Sequence, residues 1–105
     1  MTVSEFNSIA EDIIGRTHDT LVRKQGEYNL EDDRLGVFKR AGDIQQATAS
    51  QALLGMLTKH IVSIYDHVVK NIPMTESMAA EKIGDTINYC VLLYAVLKEE
   101  GFKGE

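Results

Sequence analysis

The chain has 105 residues, 44% of them hydrophobic and 26% charged, with a formal net charge of −5. That is a globular composition and the length of one domain, spanning residues 1–105, with room for a real but thin core. The acidic balance excludes a general binder of long nucleic acid, which would carry a basic patch, yet leaves small anions open at local clusters such as Arg23-Lys24 and Lys39-Arg40.

In chain order, Thr2-Val3-Ser4-Glu5 has the form of a capping box, in which the threonine and the glutamate three residues later each satisfy the other's backbone N–H. Phe6, Ile9, Ala10, Ile13, Thr17 and Leu21 then recur at helical spacing, so a first helix is predicted over 3–24, stopped near Gly26. Residues 26–33 carry turn formers and acids around Tyr28 and read as a loop. A short helix follows from Asp33, with Leu35, Phe38 and Ala41 inward and Lys39-Arg40 outward; Gly36 and Gly42 weaken it. Thr48-Ala49-Ser50-Gln51 is a second capping box and opens a third helix whose apolar face carries Leu53, Met56, Leu57, His60, Ile64, His67 and Val68. Pro73 stops that helix near Asn71. Thr75 or Ser77 caps the last helix, which closes at Glu99-Glu100-Gly101. No strand alternation is present. The expectation is an all-α, compact bundle of three long helices and one short one, assembling as a homo-oligomer.

The last helix, from about Glu81 to Leu97, is apolar on two sides. At about 100° per residue, Ile83, Ile87, Cys90, Tyr94 and Leu97 form one stripe, and Tyr89, Leu92 and Val96 a second. The first is expected to close the subunit's own core and the second to meet another subunit. The only cysteine, Cys90, reads as a buried small hydrophobe; with no partner cysteine, a disulfide framework or zinc quartet is excluded. A reducing cytoplasmic setting fits, and no signal peptide is read in the polar opening residues. The longest apolar run, Tyr89 to Leu97, is too short to span a membrane.

Glu81, Asp85 and Asn88 share one face at the head of the last helix, where buried carboxylate and amide groups need partners. His60 lies on the apolar face of the third helix, with Lys59 and Ser63 beside it. These residues either pack and pair structurally, Asp85 with Lys59 or Arg40, or line a cleft for a phosphate. Tyr28 either plugs the bundle end or stacks on a ring. Lys39 and Arg40 are either a solvated face or a phosphate grip, for which a guanidinium is well shaped. Glu81 and Asp85 could hold a divalent cation through hard oxygens.

The succession Arg23-Lys24-Gln25-Gly26-Glu27-Tyr28-Asn29, Phe38-Lys39-Arg40-Ala41, Gly55 to Asp66 and Glu81 to Tyr89 resembles small phage-encoded proteins similar to the nucleotide-modification-associated domain family. The resemblance runs from about residue 13 to 100. It rests on Glu27-Tyr28, on Lys59-His60, and on Asp85, Asn88 and Tyr89 as a closing Asp-x-x-Asn-Tyr. More distantly the chain is similar to all-α pyrophosphatases of the MazG type, which hold magnesium with two carboxylates on each of two helices. Glu81 and Asp85 resemble the second pair. The third helix departs, offering Lys59, His60 and Asp66 where two glutamates would stand, with Asp66 about 120° round the helix from His60.

The resemblance therefore implies a binder of a phosphorylated nucleotide, working without chemistry and without a cofactor, with the purpose of sequestering a nucleotide signal of host defence. Its ligand residues would be Tyr28, Lys39, Arg40, Lys59, His60, Ser63, Asp85 and Asn88, at a site shared between subunits. The alternatives are a magnesium-dependent nucleotide pyrophosphohydrolase using Glu81 and Asp85, and a structural or host-protein-binding module.

Overall fold

A computed structural model describes residues 1–23, 32–102 and 104. The described residues form four helices, α1 (Val3–Arg23), α2 (Gly36–Gln45), α3 (Ala49–Val69) and α4 (Glu76–Glu100), and no strand. The all-α expectation of three long helices and one short one holds.

The helix starts are made by the side chains expected to make them. Thr2 N donates to Glu5 Oε2 at 2.9 Å and Glu5 N to Thr2 Oγ1 at 3.1 Å. Thr48 and Gln51 form the same reciprocal pair at 2.9 and 3.1 Å. Thr75, rather than Ser77, caps α4 by accepting from Met78 N. Asp33 does not cap α2 directly. Its Oδ1 accepts from Leu35 N at 3.0 Å, forming a turn just ahead of the helix, which starts after Leu35. Asn71, in the left-handed region at φ 53°, turns the chain after α3, where Ile72 N donates to His67 O.

Gly42, which weakens α2 as an isolated helix, is explained by packing. A Cβ there would lie 2.9 Å from Ala47 O and 3.0 Å from Thr48 backbone atoms. The tight return from α2 into α3 needs a residue with no side chain, and the gain outweighs a helix-propensity loss of about 1 kcal/mol.

The core is small. Leu35, Phe38, Leu53 and Val96 form its buried cluster, with Val37, Ala49, Met56, Tyr89, Leu92, Leu93 and Ala95 packed against it. Helices α3 and α4 form an antiparallel hairpin, tied by His60 against Tyr89 with ring centroids 4.8 Å apart and by Lys82 Nζ donating to Ser63 Oγ at 2.8 Å. Helix α2 packs on α3, and α1 packs on α4.

This placement reverses the expected roles of the two α4 stripes. Val96 is buried and Tyr89 and Leu92 join the core, whereas Ile83, Tyr94 and Leu97 are exposed. Cys90 is exposed too, not buried as expected. The cause lies on α3. Its Leu53, Leu57 and His60 select the complementary α4 face, and a helix apolar on both sides carries no sign of which face that will be.

Candidate functional site

A cavity of about 320 Å³ opens where all four helices converge. Helix α1 supplies Thr20 and Leu21, the turn before α2 supplies Arg34, α2 supplies Val37 and Phe38, α3 supplies Met56 and His60, and α4 supplies Asp85, Asn88, Tyr89 and Leu92. Its volume is at the lower end of ordinary small-molecule sites, and its apolar wall with a few converging polar groups has their usual character.

The position of α1 shapes this cavity. Thr17 is buried against α4, and a Cβ on Gly84 would come within 2.6 Å of Thr17 Cγ2. Thr17 Oγ1 donates to Ile14 O at 2.9 Å, which fixes the rotamer and points the methyl at Gly84. The close approach brings Thr20 and Leu21, one turn further along α1, to the cavity wall. Arg34 joins the same corner, with Nη2 donating to Leu21 O at 3.4 Å.

Two of the polar wall groups have no protein partner among the described residues. Asn88 is only 8% exposed, and among the described residues its side-chain amide makes no hydrogen bond. Asp85, half-buried one turn away, likewise has no ion pair or hydrogen bond there. A buried amide left without a partner costs about 1–3 kcal/mol, so such groups in native proteins call for a physical explanation. A polar ligand is one that also explains the cavity. Together Asn88 and Asp85 present two N–H donors and several acceptor lone pairs.

A groove of about 270 Å³ between α1 and α4 adjoins the cavity and shares Thr20, Asp85 and Asn88 with it. Arg16, Arg23, Ser77 and Glu81 also line this groove. Cavity and groove adjoin across Thr20, Asp85 and Asn88, the cavity apolar and aromatic with Arg34 on its wall, the groove lined by Arg16 and Arg23. Glu81 and Asp85, one turn apart on α4, face the groove together, whereas no group of three or more His, Cys, Asp or Glu side chains suited to a metal occurs among the described residues. Two carboxylates fit magnesium only in the manner of an ion held mainly by water and substrate phosphates.

Of the residues singled out in the sequence, His60, Asp85 and Asn88 meet in the cavity. Lys59 is exposed on α3 and is not among the lining residues. Ser63, expected to line a cleft, instead bonds Lys82 and holds α3 to α4. Lys39 bridges Asp33 and Glu99, fastening the start of α2 to the end of α4. These bonds hold the Asp33 carboxyl below the usual range, chiefly through the Lys39 hydrogen bond, and push Lys39 up. Arg40 is exposed and lines neither depression. Tyr28 lies outside the described residues. The sequence reading missed Arg34, Arg16 and Thr20. Arg16 and Thr20 sit one turn apart on the α1 face that also carries Thr17, a polar break in an apolar stripe that could have marked them.

Compared with known proteins, the chain matches no family model, no curated protein and no solved structure.

Proposed function

We propose that this protein binds a phosphorylated nucleotide, or a small molecule built from one, without transforming it. The observation that carries the reading is Asn88, buried and without a side-chain hydrogen bond among the described residues, beside Asp85 in a cavity with aromatic walls. A nucleoside would place its base between the apolar wall of Phe38, Met56 and Leu92 and the rings of Tyr89 and His60, which suit a flat heterocycle. Asn88 and Asp85 would take hydrogen bonds from base edges or sugar hydroxyls. Phosphates would extend toward Arg34 and along the groove to Arg16 and Arg23, where guanidinium groups can bind phosphate bidentately. This assignment replaces Lys39, Arg40, Lys59 and Ser63 with Arg34, Arg16 and Arg23 as the phosphate-binding set.

The purpose we propose with it, from the sequence resemblance alone, is sequestration of a nucleotide signal of host defence by a homo-oligomeric phage-type protein. Calorimetric titration with nucleoside mono-, di- and triphosphates and with cyclic nucleotides tests the binding. Saturable binding of one class is expected, and no heat with any of them contradicts it.

One observation favours a second reading. Glu81 and Asp85 share the groove with two arginines, an arrangement in which substrate-borne magnesium could be held during pyrophosphate release. Magnesium-dependent release of pyrophosphate, abolished by Asp85→Asn, would select this enzyme. Recovery of the bound nucleotide chemically unchanged selects the binder.

A further inference from the structure

We infer that the base held in the cavity is guanine, read by Asp85 and Asn88 along the edge that carries its N1–H and N2 amino group. The inference rests on the nucleotide reading above and narrows it to one base.

The hydrogen-bonding groups on the wall point to this edge. Asp85 and Asn88 stand one turn apart on α4, so their side chains rise from one face with Cβ atoms roughly 5–6 Å apart. Both line the cavity, and neither side chain makes a hydrogen bond or ion pair among the described residues. A carboxylate only accepts, through two oxygens, whereas an amide offers an NH₂ donor and a carbonyl acceptor. The pair therefore presents more acceptors than donors. Its complement is an edge with two adjacent N–H donors and an acceptor beside them. Thr20 and Arg34 leave that balance in place. Thr20 Oγ1 donates to Arg16 O at 3.1 Å, so only its lone pairs remain. Arg34 gives one N–H to Leu21 O, and its other N–H groups suit a phosphate.

Guanine alone among the common bases has such an edge, with O6, N1–H and the N2 amino group in a row. Asp85 can accept from N1–H and N2–H together, a charge-assisted bidentate pair, while the Asn88 amide donates to O6. Adenine and cytosine set one amino group beside a bare ring nitrogen, whose lone pair would face the carboxylate. Uracil and thymine set a single N–H between two carbonyl oxygens, which repel it as well. A site built to hydrogen-bond one such edge rejects an analogue that leaves its polar groups unpaired.

The base, rather than the sugar, is the group placed here because the same cavity holds the rings. His60 and Tyr89 line it with their centroids 4.8 Å apart, beside Phe38. Asn88 is the more buried of the polar pair. A flat ring against that wall brings its edge, and not a ribose, to the buried amide.

Calorimetric titration of the full chain with GTP, dGTP, ITP, XTP, ATP, CTP and UTP tests this, in EDTA so that no magnesium-dependent turnover intervenes. GTP should bind at least about tenfold more tightly than ATP, CTP or UTP, the loss expected for one hydrogen bond to a charged group. ITP, which lacks only the N2 amino group, should bind more weakly than GTP, and dGTP should match GTP. Tighter binding of another base, or equal binding of all, overturns the inference and leaves the nucleotide reading standing. Weaker binding of dGTP with no preference among bases puts the pair on the sugar, which also overturns it. No binding of any nucleotide removes both. Asp85→Asn sets an amide N–H₂ opposite position 2 of the base, where xanthine carries a carbonyl, so the preference should pass from GTP to XTP. A variant that binds GTP in preference to XTP contradicts the role given to Asp85. Should the variant fail to fold, the wild-type series decides alone.

Discussion

Gly84 and Thr17 meet where α1 crosses α4, with a Cβ on Gly84 placed 2.6 Å from Thr17 Cγ2. That contact holds Thr20 and Leu21 against the cavity, so fold and site share one constraint. Gly84→Ala should destabilise the protein by roughly 1 kcal/mol net, an overpacking cost partly offset by better helix propensity. Thr17→Ser keeps the Oγ1 bond to Ile14 and removes the methyl, so the double substitution should recover most of the loss. Denaturant midpoints of the four proteins measure it. Additive losses would show that the methyl contact does not set the helix spacing.

Leu53 is fully buried at the centre of a small core. Leu53→Ala should cost about 3 kcal/mol, a large share of the stability of a domain this size. Thermal unfolding of the variant checks it. A loss under about 1 kcal/mol would mean that the core is anchored elsewhere.

The Asp33–Lys39–Glu99 cluster predicts a pH signature. Asp33 has its folded value lowered below 3.8, first by the Lys39 hydrogen bond and then by the Leu35 N–H. Its contribution is therefore present above the unfolded value and is lost as pH falls through the lower folded one. Lys39 is shifted up, first by Asp33 and then by Glu99, so its share is present below its ordinary value of 10.5 and lost as pH rises through the folded one. Both groups are exposed and screened, so the effect is small. Asp33→Asn should flatten the acid side of the stability curve, measured as denaturant midpoint against pH. An unchanged acid slope contradicts the assignment.

The helix ends were legible because caps are local chemistry. Thr2-Glu5, Thr48-Gln51 and Thr75 act through residues three positions away; the first two work as read, and of Thr75 and Ser77 it is Thr75 that caps. The packing of α4 was not legible, since two apolar stripes on one helix leave its inward face to be chosen by α3. The site was legible in part. His60, Asp85 and Asn88 stood out as polar groups on apolar faces, and that mismatch is visible in sequence. Lys59 is next to His60 in sequence, but a neighbour in sequence sits about 100° away on a helix, and Lys39, on the short helix, is held by Asp33 and Glu99 instead. Arg34 lies in a turn with no periodicity to place it, and it reaches the cavity corner through its bond to Leu21 O on α1.

Arg34 separates the phosphate from the nucleoside end of the site. Arg34→Ala should weaken a nucleotide by about tenfold or more, as loss of a charge-assisted contact does, and leave the corresponding nucleoside nearly unaffected. Parallel titrations with the two ligands measure this. Equal weakening of both would place Arg34 in a structural role.

Asn88 provides the most direct measurement. Asn88→Leu removes an amide that is buried with no hydrogen bond among the described residues, so the ligand-free protein should be as stable as wild type or more so. The same substitution should weaken nucleotide binding by at least about tenfold, since one unmet hydrogen bond in a closed site costs on the order of 1–3 kcal/mol. Unfolding and calorimetry on one preparation give both numbers. Retained stability with lost binding is the expected result. Nucleotide affinity equal to that of the wild type would contradict the account.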